Sequence, residues 1–356
     1  MSRAQLARGL GDGASRRGCP DAPSRALGAS PLGPTSGAGP VLGLAVGLLA
    51  DRVVGDPRRA HPVAAFGAVA TAVEHRLWRD ARSAGALHVV LLVGAPAAAS
   101  HLVGRWLERR AAAASLTWLA AALAIALGAR SLEEEGRAVG DALAAGDLAS
   151  ARARLPALCG RDPAPLDAAG LAAAAAESVA ENTADAVAGP LVWAAIGGPA
   201  GVVAHRAANT LDAMVGHRSA RYQRFGQPAA RLDDALGWLP ARMTTSAFIA
   251  IAPLFGGSPA VAARVVRRDA ARHPSPNAGP CEAAMAGALD VRLGGEVRYP
   301  GVARVQQRGP LGDGRAPGAE DVRRAVALSR AAGLVIAVLT GVVLAARDRA
   351  RHGGGP

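Results

Sequence analysis

Three acids, Glu177, Glu181 and Asp185, stand four residues apart in ESVAENTADAVAGPLVWAAIGG, just before an apolar run broken by Gly-Pro. This i, i+4, i+8 spacing sets them along one helix face, with Ser178 and Asn182 in a second polar row beside them. Like charges so placed repel unless something positive lies between them. The chemical reading is a magnesium ion, which binds through one or two carboxylates plus substrate phosphates. The bland reading is a solvated helix face with arginine partners, because acids at this spacing are common on exposed helices. Entry into apolar sequence favours chemistry, since ionisable groups at membrane depth are costly and usually functional.

Three further stretches carry chemistry-bearing residues. HRAANTLDAMVGHRSARYQRFGQPAARLDDALGWLPARMT places Arg206, Asn209 and Asp212 at three-residue steps and adds Arg221, Arg231, Asp233, Asp234 and Arg242. Arginines suit phosphate and carboxylate groups, and paired aspartates again suit a cation, although a basic loop beside a membrane also reads anionic lipid. RRDAARHPSPNAGPCEAAMAGAL joins His273, Ser275 and Asn277 to a double-proline turn, with backbone N–H groups expected free ahead of a helix near Pro280. A helix N-terminus facing such a loop is a phosphate site, and an ordinary capped turn is the alternative. GDPRRAHPV couples Asp56 and His61 to two prolines at the end of the first apolar segment.

The elements that must position these residues are membrane helices. The chain has 356 residues, 51% of them hydrophobic but only 3% aromatic, which points to Ala/Val/Leu helices packed through small side chains. Its net charge of +12 comes from arginine alone, since no lysine is present. That excludes Schiff-base lysine chemistry and a lysine phosphate loop. Nucleic acid is not an expected partner, for want of a basic helix, zinc spacing or stacking aromatics. Cys19, Cys159 and Cys281 are too few and too scattered for a disulfide framework or zinc site.

The expected fold is all-α: a polytopic helical integral membrane protein with broken or re-entrant helices and cytoplasmic polar loops. Residues 1–40 read as a disordered extension, 41–346 as one membrane domain and 347–356 as a flexible basic tail. Segments 84–104 and 111–129 form an expected helical hairpin. The apolar segments 184–204 and 243–263 are broken by Gly and Pro and are expected not to cross fully, leaving about four spans. The polar loops 205–242 and 264–330 then share one face.

Taken in order, GDPRRAHPV, ESVAENTADAVAGPLVWAAIGGPAG, RAANTLDAMVGHRSARYQRFGQPAARLDDALGWLPARMT and HPSPNAGPCEAAMAGALDVRLGG resemble the cobalamin-biosynthesis CbiB/CobD family over residues 41–300. Pro280-Cys281 stands where that family has an aromatic. The resemblance implies an adenosylcobinamide-phosphate synthase of the cell membrane with its active site on the cytoplasmic side. Such an enzyme joins aminopropanol, or its phosphate, to a propionate carboxylate of adenosylcobyric acid through an amide, using ATP and magnesium. On that footing Glu177, Glu181, Asp185, Asp212, Asp233 and Asp234 are expected around magnesium. Arg206, Asn209, Arg221, Arg231, Arg242, Ser275 and Asn277 are expected around phosphate or corrin carboxylates. Glu177, Glu181, Asn182, His61 and His273 are the expected catalytic groups, with the base open among His61, His273 and the acids. Anionic lipids, a second copy of the chain or other corrinoid enzymes of the membrane are expected partners. An ion-coupled transporter or a noncatalytic scaffold would share the broken helices and intramembrane acids.

Overall fold

The structure is a computed structural model that describes residues 39–55, 62–217, 219–298 and 306–352. His61 and Asp56, and the expected extension up to residue 38, lie outside the described residues. The elements are α1 (Gly39–Val54), α2 (Pro62–Leu77), α3 (Arg82–Val89), α4 (Ala95–Glu108), α5 (Ala112–Ala126), α6 (Ala129–Ala144), α7 (Leu148–Arg154), α8 (Ala168–Asn182), α9 (Gly189–Leu211), α10 (Gln227–Ile251), α11 (Pro259–Asp269), α12 (Ala278–Leu289) and α13 (Ala319–His352). Two short strands, β1 (Leu293–Val297) and β2 (Gln306–Leu311), pair antiparallel between α12 and α13. Helix dominates, as expected of an all-α polytopic membrane protein.

Four helical runs are long and apolar enough to cross a membrane: Arg82–Glu108, Leu116–Ala144, Ala168–Gly216 and Ala319–Ala350. The first joins α3 to α4 through a π-helical turn, Val90–Gly94, and reverses at Arg109-Arg110 into α5. Trp118 Nε1 donates to the Ser100 carbonyl at 3.2 Å across this reversal, so the expected hairpin is present. α1 runs parallel to α5, with Gly39 against Leu116 and Gly47 against Leu123. Large apolar side chains stay exposed on α1 (Leu42, Val46, Leu49), α4 (Leu102, Trp106) and α13 (Leu334, Val338, Val342). In a bilayer these faces meet lipid, whose chains are as apolar as the side chains themselves.

The run Ala168–Gly216 is not one rod. Gly198 adopts φ 58 and ψ −149, a region open in practice only to glycine, and Pro199 follows it. The chain folds back there, and three rungs fix the register of the two arms. Asn209 bonds Asp185, His205 lies flat against Gly189, and Gly201 lies against the Trp193 carbonyl. Each rung is four residues nearer the turn on both arms. A Cβ on Gly189 would come 2.1 Å from the His205 ring, so glycine is required for this approach. The arm from Asp185 to Gly198 is about 20 Å long at about 1.5 Å per residue, short of the about 30 Å hydrocarbon layer. This is the broken segment the sequence suggested, closed into a hairpin.

α13 runs parallel to the first arm, with Thr183 beside Ser329, Leu191 beside Thr340 and the Ala195 carbonyl bonded by Arg347. Its helix continues to His352, where a flexible tail was expected from residue 347, because Arg347 is held by the carbonyls of Ala195 and Ile196. At the other end the Gly128 amide donates to the Ala186 carbonyl at 3.1 Å, which sets the break between α5 and α6 level with Asp185. Beyond that level α6, the polar half of α13, α8, α12 and the strand pair build a cap. α10 packs against the arms, α12 and α13, and Trp193 Nε1 donates to its Leu236 carbonyl at 2.9 Å. It ends at Ile251, and a turn with left-handed Gly256 leads into α11, which packs back on α12. The β1–β2 pair was not expected, because LGGEV has neither the alternation nor the β-branched content that marks a strand.

Candidate active site

The hairpin brings together acids that are distant in sequence. Asp185 sits in a π-helical turn, Thr183–Ala188, between α8 and α9, and Asp212 opens a second one, Asp212–Gly216, after α9. Wider π turns displace side chains from helical register and recur at functional sites. Asn209 Nδ2 donates to Asp185 Oδ2 at 3.3 Å, tying the two arms at this level. α10 delivers Asp233 and Asp234 from its first turns. Asp185, Asp212 and Asp233 lie within electrostatic reach of one another and of Glu181, and Asp234 acts on Asp212 and Asp233. Burial, reinforced by the charge of Asp212, pushes the Asp233 carboxyl up to about 7. Four carboxylates and Glu181 are thus gathered at this level from separate segments.

The other end of the site is mixed in charge. α8 starts at an Asp167 cap, whose side chain accepts from the Gly170 amide at 2.8 Å, and it carries Glu177 inward to a buried position. One Glu177 oxygen is bonded by the buried Arg161, and the other accepts from the Gly294 amide of β1 at 2.7 Å. Glu177 therefore anchors the strand pair. Glu181, one turn on, feels Arg308, Glu177 and Arg161 on this side and Asp185, Asp212 and Asp233 on the other. It is the joint between the two ends.

Glu282 of α12 completes the mixed-charge end and was not singled out from the sequence. It is fully buried, with His273 Nε2 and Arg308 Nη1 each 3.6 Å from Oε1. Burial, with the charges of Glu177 and Glu181 adding, pushes its carboxyl well above the usual carboxylate range. Burial and then the nearby Arg308 bring His273 down to about 4, so the ring is neutral near pH 7. His273 Nδ1 lies 3.1 Å from the Ser275 amide and 3.3 Å from the Ser275 carbonyl, so its own turn holds the ring, while Nε2 faces Glu282.

Other expected site residues are placed differently. The amides expected free in the HPSPNAG turn are taken, since Ser275 Oγ accepts from the Asn277 and Ala278 amides at 3.3 and 3.1 Å. A hydroxyl three residues before the helix satisfies its first donors. Asn277 braces α12 against α10, accepting from Arg242 Nη1 at 2.8 Å and donating to the Asp234 carbonyl at 2.9 Å. Arg242 also lies over the Trp238 ring. Asn182 donates to the Ser178 carbonyl of its own helix at 2.9 Å. Arg221 is held by Glu74 at 3.0 Å and by the Trp78 face, so it clamps α2 to the loop before α10. Arg206 lines a mostly apolar cavity of about 150 Å³ with Phe66, Trp118 and Ile125. Arg231 is exposed at the start of α10, with no ion pair or hydrogen bond among the described residues, and stands two residues before Asp233.

The donor set of the acid end is oxygen throughout, which suits a hard cation. Among the described residues no three His, Cys, Asp or Glu side chains converge into a ready metal centre. Magnesium fits such an arrangement, because it keeps several waters and takes one or two carboxylates together with substrate phosphates.

Residues 44–329 match the protein family described as CobD/Cbib protein. The cobalamin biosynthesis protein CobD of Mycobacterium tuberculosis H37Rv is 53% identical over 86% of this chain and 96% of its own length. Proteins of the same description from Chromobacterium violaceum and Rhodobacter capsulatus are 43% and 39% identical, each over 80% of this chain and 90% of their own length. No solved structure matches the chain. With four motifs in order, a membrane-helical fold and this breadth of similarity, the chain belongs to the CobD/CbiB family of membrane proteins of cobalamin biosynthesis.

Proposed function

We propose that the protein is the amide-forming adenosylcobinamide-phosphate synthase of this pathway, joining a propionate carboxylate of adenosylcobyric acid to aminopropanol or its phosphate. The observation that carries the reading is the meeting of Glu181, Asp185, Asp212 and Asp233 from three separate segments beside a buried mixed-charge cluster. A carboxylate does not condense with an amine unaided, and ATP with magnesium would supply activation of that carboxylate as an acyl phosphate. Asp185, Asp212, Asp233 and Asp234, with Glu181, would hold the ion, and Asn209 would orient Asp185. Arg231 and Arg242 would take phosphate or corrin carboxylate oxygens. Glu177, held by Arg161 and Gly294, fixes the strand pair over the pocket rather than reacting.

The cytoplasmic assignment of the site rests on charge. The end of the molecule that carries the acids also holds most of the arginines, and arginine excess marks the cytoplasmic side. The carrier reading is disfavoured by the hairpin, which returns both arms to one face. Incubating the purified protein with adenosylcobyric acid, aminopropanol or its phosphate, ATP and magnesium should yield a product heavier by the amine less one water in mass spectrometry. Recovery of unchanged corrinoid under all these conditions would overturn the reading in favour of a scaffold.

A further inference from the structure

The end of α1 meets the start of α6 at a polar pocket of about 220 Å³, walled by Arg52, Arg130, Glu133, Glu134 and Arg137. Arg52 Nη1 and Arg137 Nη2 both donate to Glu133 Oε2, at 3.0 and 2.8 Å, so one carboxylate oxygen holds two guanidinium groups side by side. Glu133 is buried, whereas both arginine side chains are 45% exposed. Most of their five N–H donors meet no protein acceptor among the described residues. Arg130 closes the inner wall, donating through Nη1 to the Arg52 and Val53 carbonyls at 3.3 and 2.6 Å and through Nε to Glu134 at 2.6 Å. Adjacent guanidinium groups with open donors suit a phosphate, whose oxygens accept several charge-assisted bonds at once.

The pocket stands at the membrane edge of the cap. Asp51 Oδ2 accepts from the Arg130 amide at 3.3 Å, two residues beyond the Gly128 amide that bonds the Ala186 carbonyl where the apolar runs give way to polar helices. From there Val53, Leu49, Val46 and Leu42, all exposed, run back along one face of α1 at steps of four, three and four residues. This stripe is about 16 Å long at about 1.5 Å per residue, which matches one leaflet of an about 30 Å hydrocarbon layer. An apolar track of leaflet length that ends at paired arginines fits a lipid better than a free phosphate.

We infer that this pocket binds an anionic glycerophospholipid of the leaflet that faces the cap. Arg52 and Arg137 take its phosphate oxygens, Glu133 holds the two guanidinium groups in place, and an acyl chain lies along Leu42, Val46, Leu49 and Val53. A choline headgroup would bring its own cation against three guanidinium groups, so phosphatidylglycerol is preferred to phosphatidylcholine. The site shares no residue with the acids and does not depend on the reaction assigned to them.

The test uses the full chain in detergent with added phosphatidylglycerol, phosphatidylcholine or glycerol 3-phosphate. It reads the melting temperature, and native mass spectrometry reads the lipid retained. The wild type should melt higher with phosphatidylglycerol than with an equal mole fraction of phosphatidylcholine, and should retain the former. Arg52→Gln combined with Arg137→Gln should weaken phosphatidylglycerol binding about 10–30-fold and erase the difference between the lipids. Arg264→Gln, at an exposed position of α11, should keep that difference. If the double variant does not accumulate, Arg137→Gln alone, which leaves Arg52 on Glu133, carries the comparison with an about 3–10-fold loss. A wild type that treats the two lipids alike, or arginine variants that keep the wild-type preference, would overturn the assignment. A shift with glycerol 3-phosphate as large as that with phosphatidylglycerol would make this a free-phosphate site and overturn the lipid assignment.

Discussion

Asp233 and His273 respond to acid in opposite directions. The Asp233 carboxyl stands at about 7 against an ordinary 3.8, so the folded state holds more protons than the unfolded one across that interval. Its contribution to stability therefore falls as pH rises from about 4 to about 7 and is flat above. Asp233→Asn should remove this slope and raise stability at pH 8 by roughly 1–3 kcal/mol, discounted for partial exposure, while lowering amide formation at least about 100-fold. Melting curves across pH, paired with turnover, check both halves of that expectation. His273 stands at about 4 against 6.5, so the folded state holds fewer protons there. Its contribution is lost as pH falls from about 6.5 to about 4, and His273→Gln should flatten that limb by about 2–3 kcal/mol. The two limbs overlap in the wild type and separate only in the variants. Of the residues themselves, the acid stripe was legible because its spacing is helical and it precedes an apolar run. Glu282 was not, since a single glutamate in CEAAMAG looks like any helix residue until α8, α11 and β2 close over it. The one signal available was a charge within a stretch otherwise made of small apolar residues.

At the scale of elements, the hairpin turning at Gly198 decides whether the acids meet. The rung at Gly189 and His205 tests it most directly. Gly189→Ala should push the arms apart, lower stability by about 2–4 kcal/mol and cost activity, because the buried ring has little room to yield. His205→Ala in the same chain should restore part of both, which a double-mutant cycle on melting temperature would show. Gly197-Gly198-Pro199 announced the break in the sequence, but the register of the arms could not be read from it. That register is set by which side chains are small enough to let the arms touch, a property of pairs. The strand pair was hidden for a related reason. Its glycines have little strand preference, and its pairing is fixed from outside by the bond between the Gly294 amide and Glu177.

For the whole molecule, the parallel run of α13 beside the first arm puts Gly39, the Arg109-Arg110 turn, Gly198 and the end of α13 at one end. Single cysteines at Ser219 and Asp313, in a chain cleared of its native cysteines, should be labelled from the same membrane side, and one at Arg110 from the other. Labelling of Ser219 and Asp313 from opposite sides would contradict the arrangement. Apolar runs and their breaks made the membrane-helical class readable in the sequence. The cap was less so, because α6, α12 and the polar half of α13 are assembled by tertiary contacts that no local pattern encodes.

The returning hairpin also has an electrical consequence. With both arms returning to one face, we expect the acids and whatever they hold to sample one compartment, with no charge carried through the membrane field. A carrier moving one charge across would gain or lose about 2.3 kcal/mol per 100 mV. The reaction at these acids should run at the same rate in polarised and collapsed vesicles, indifferent to the voltage across the bilayer that houses it.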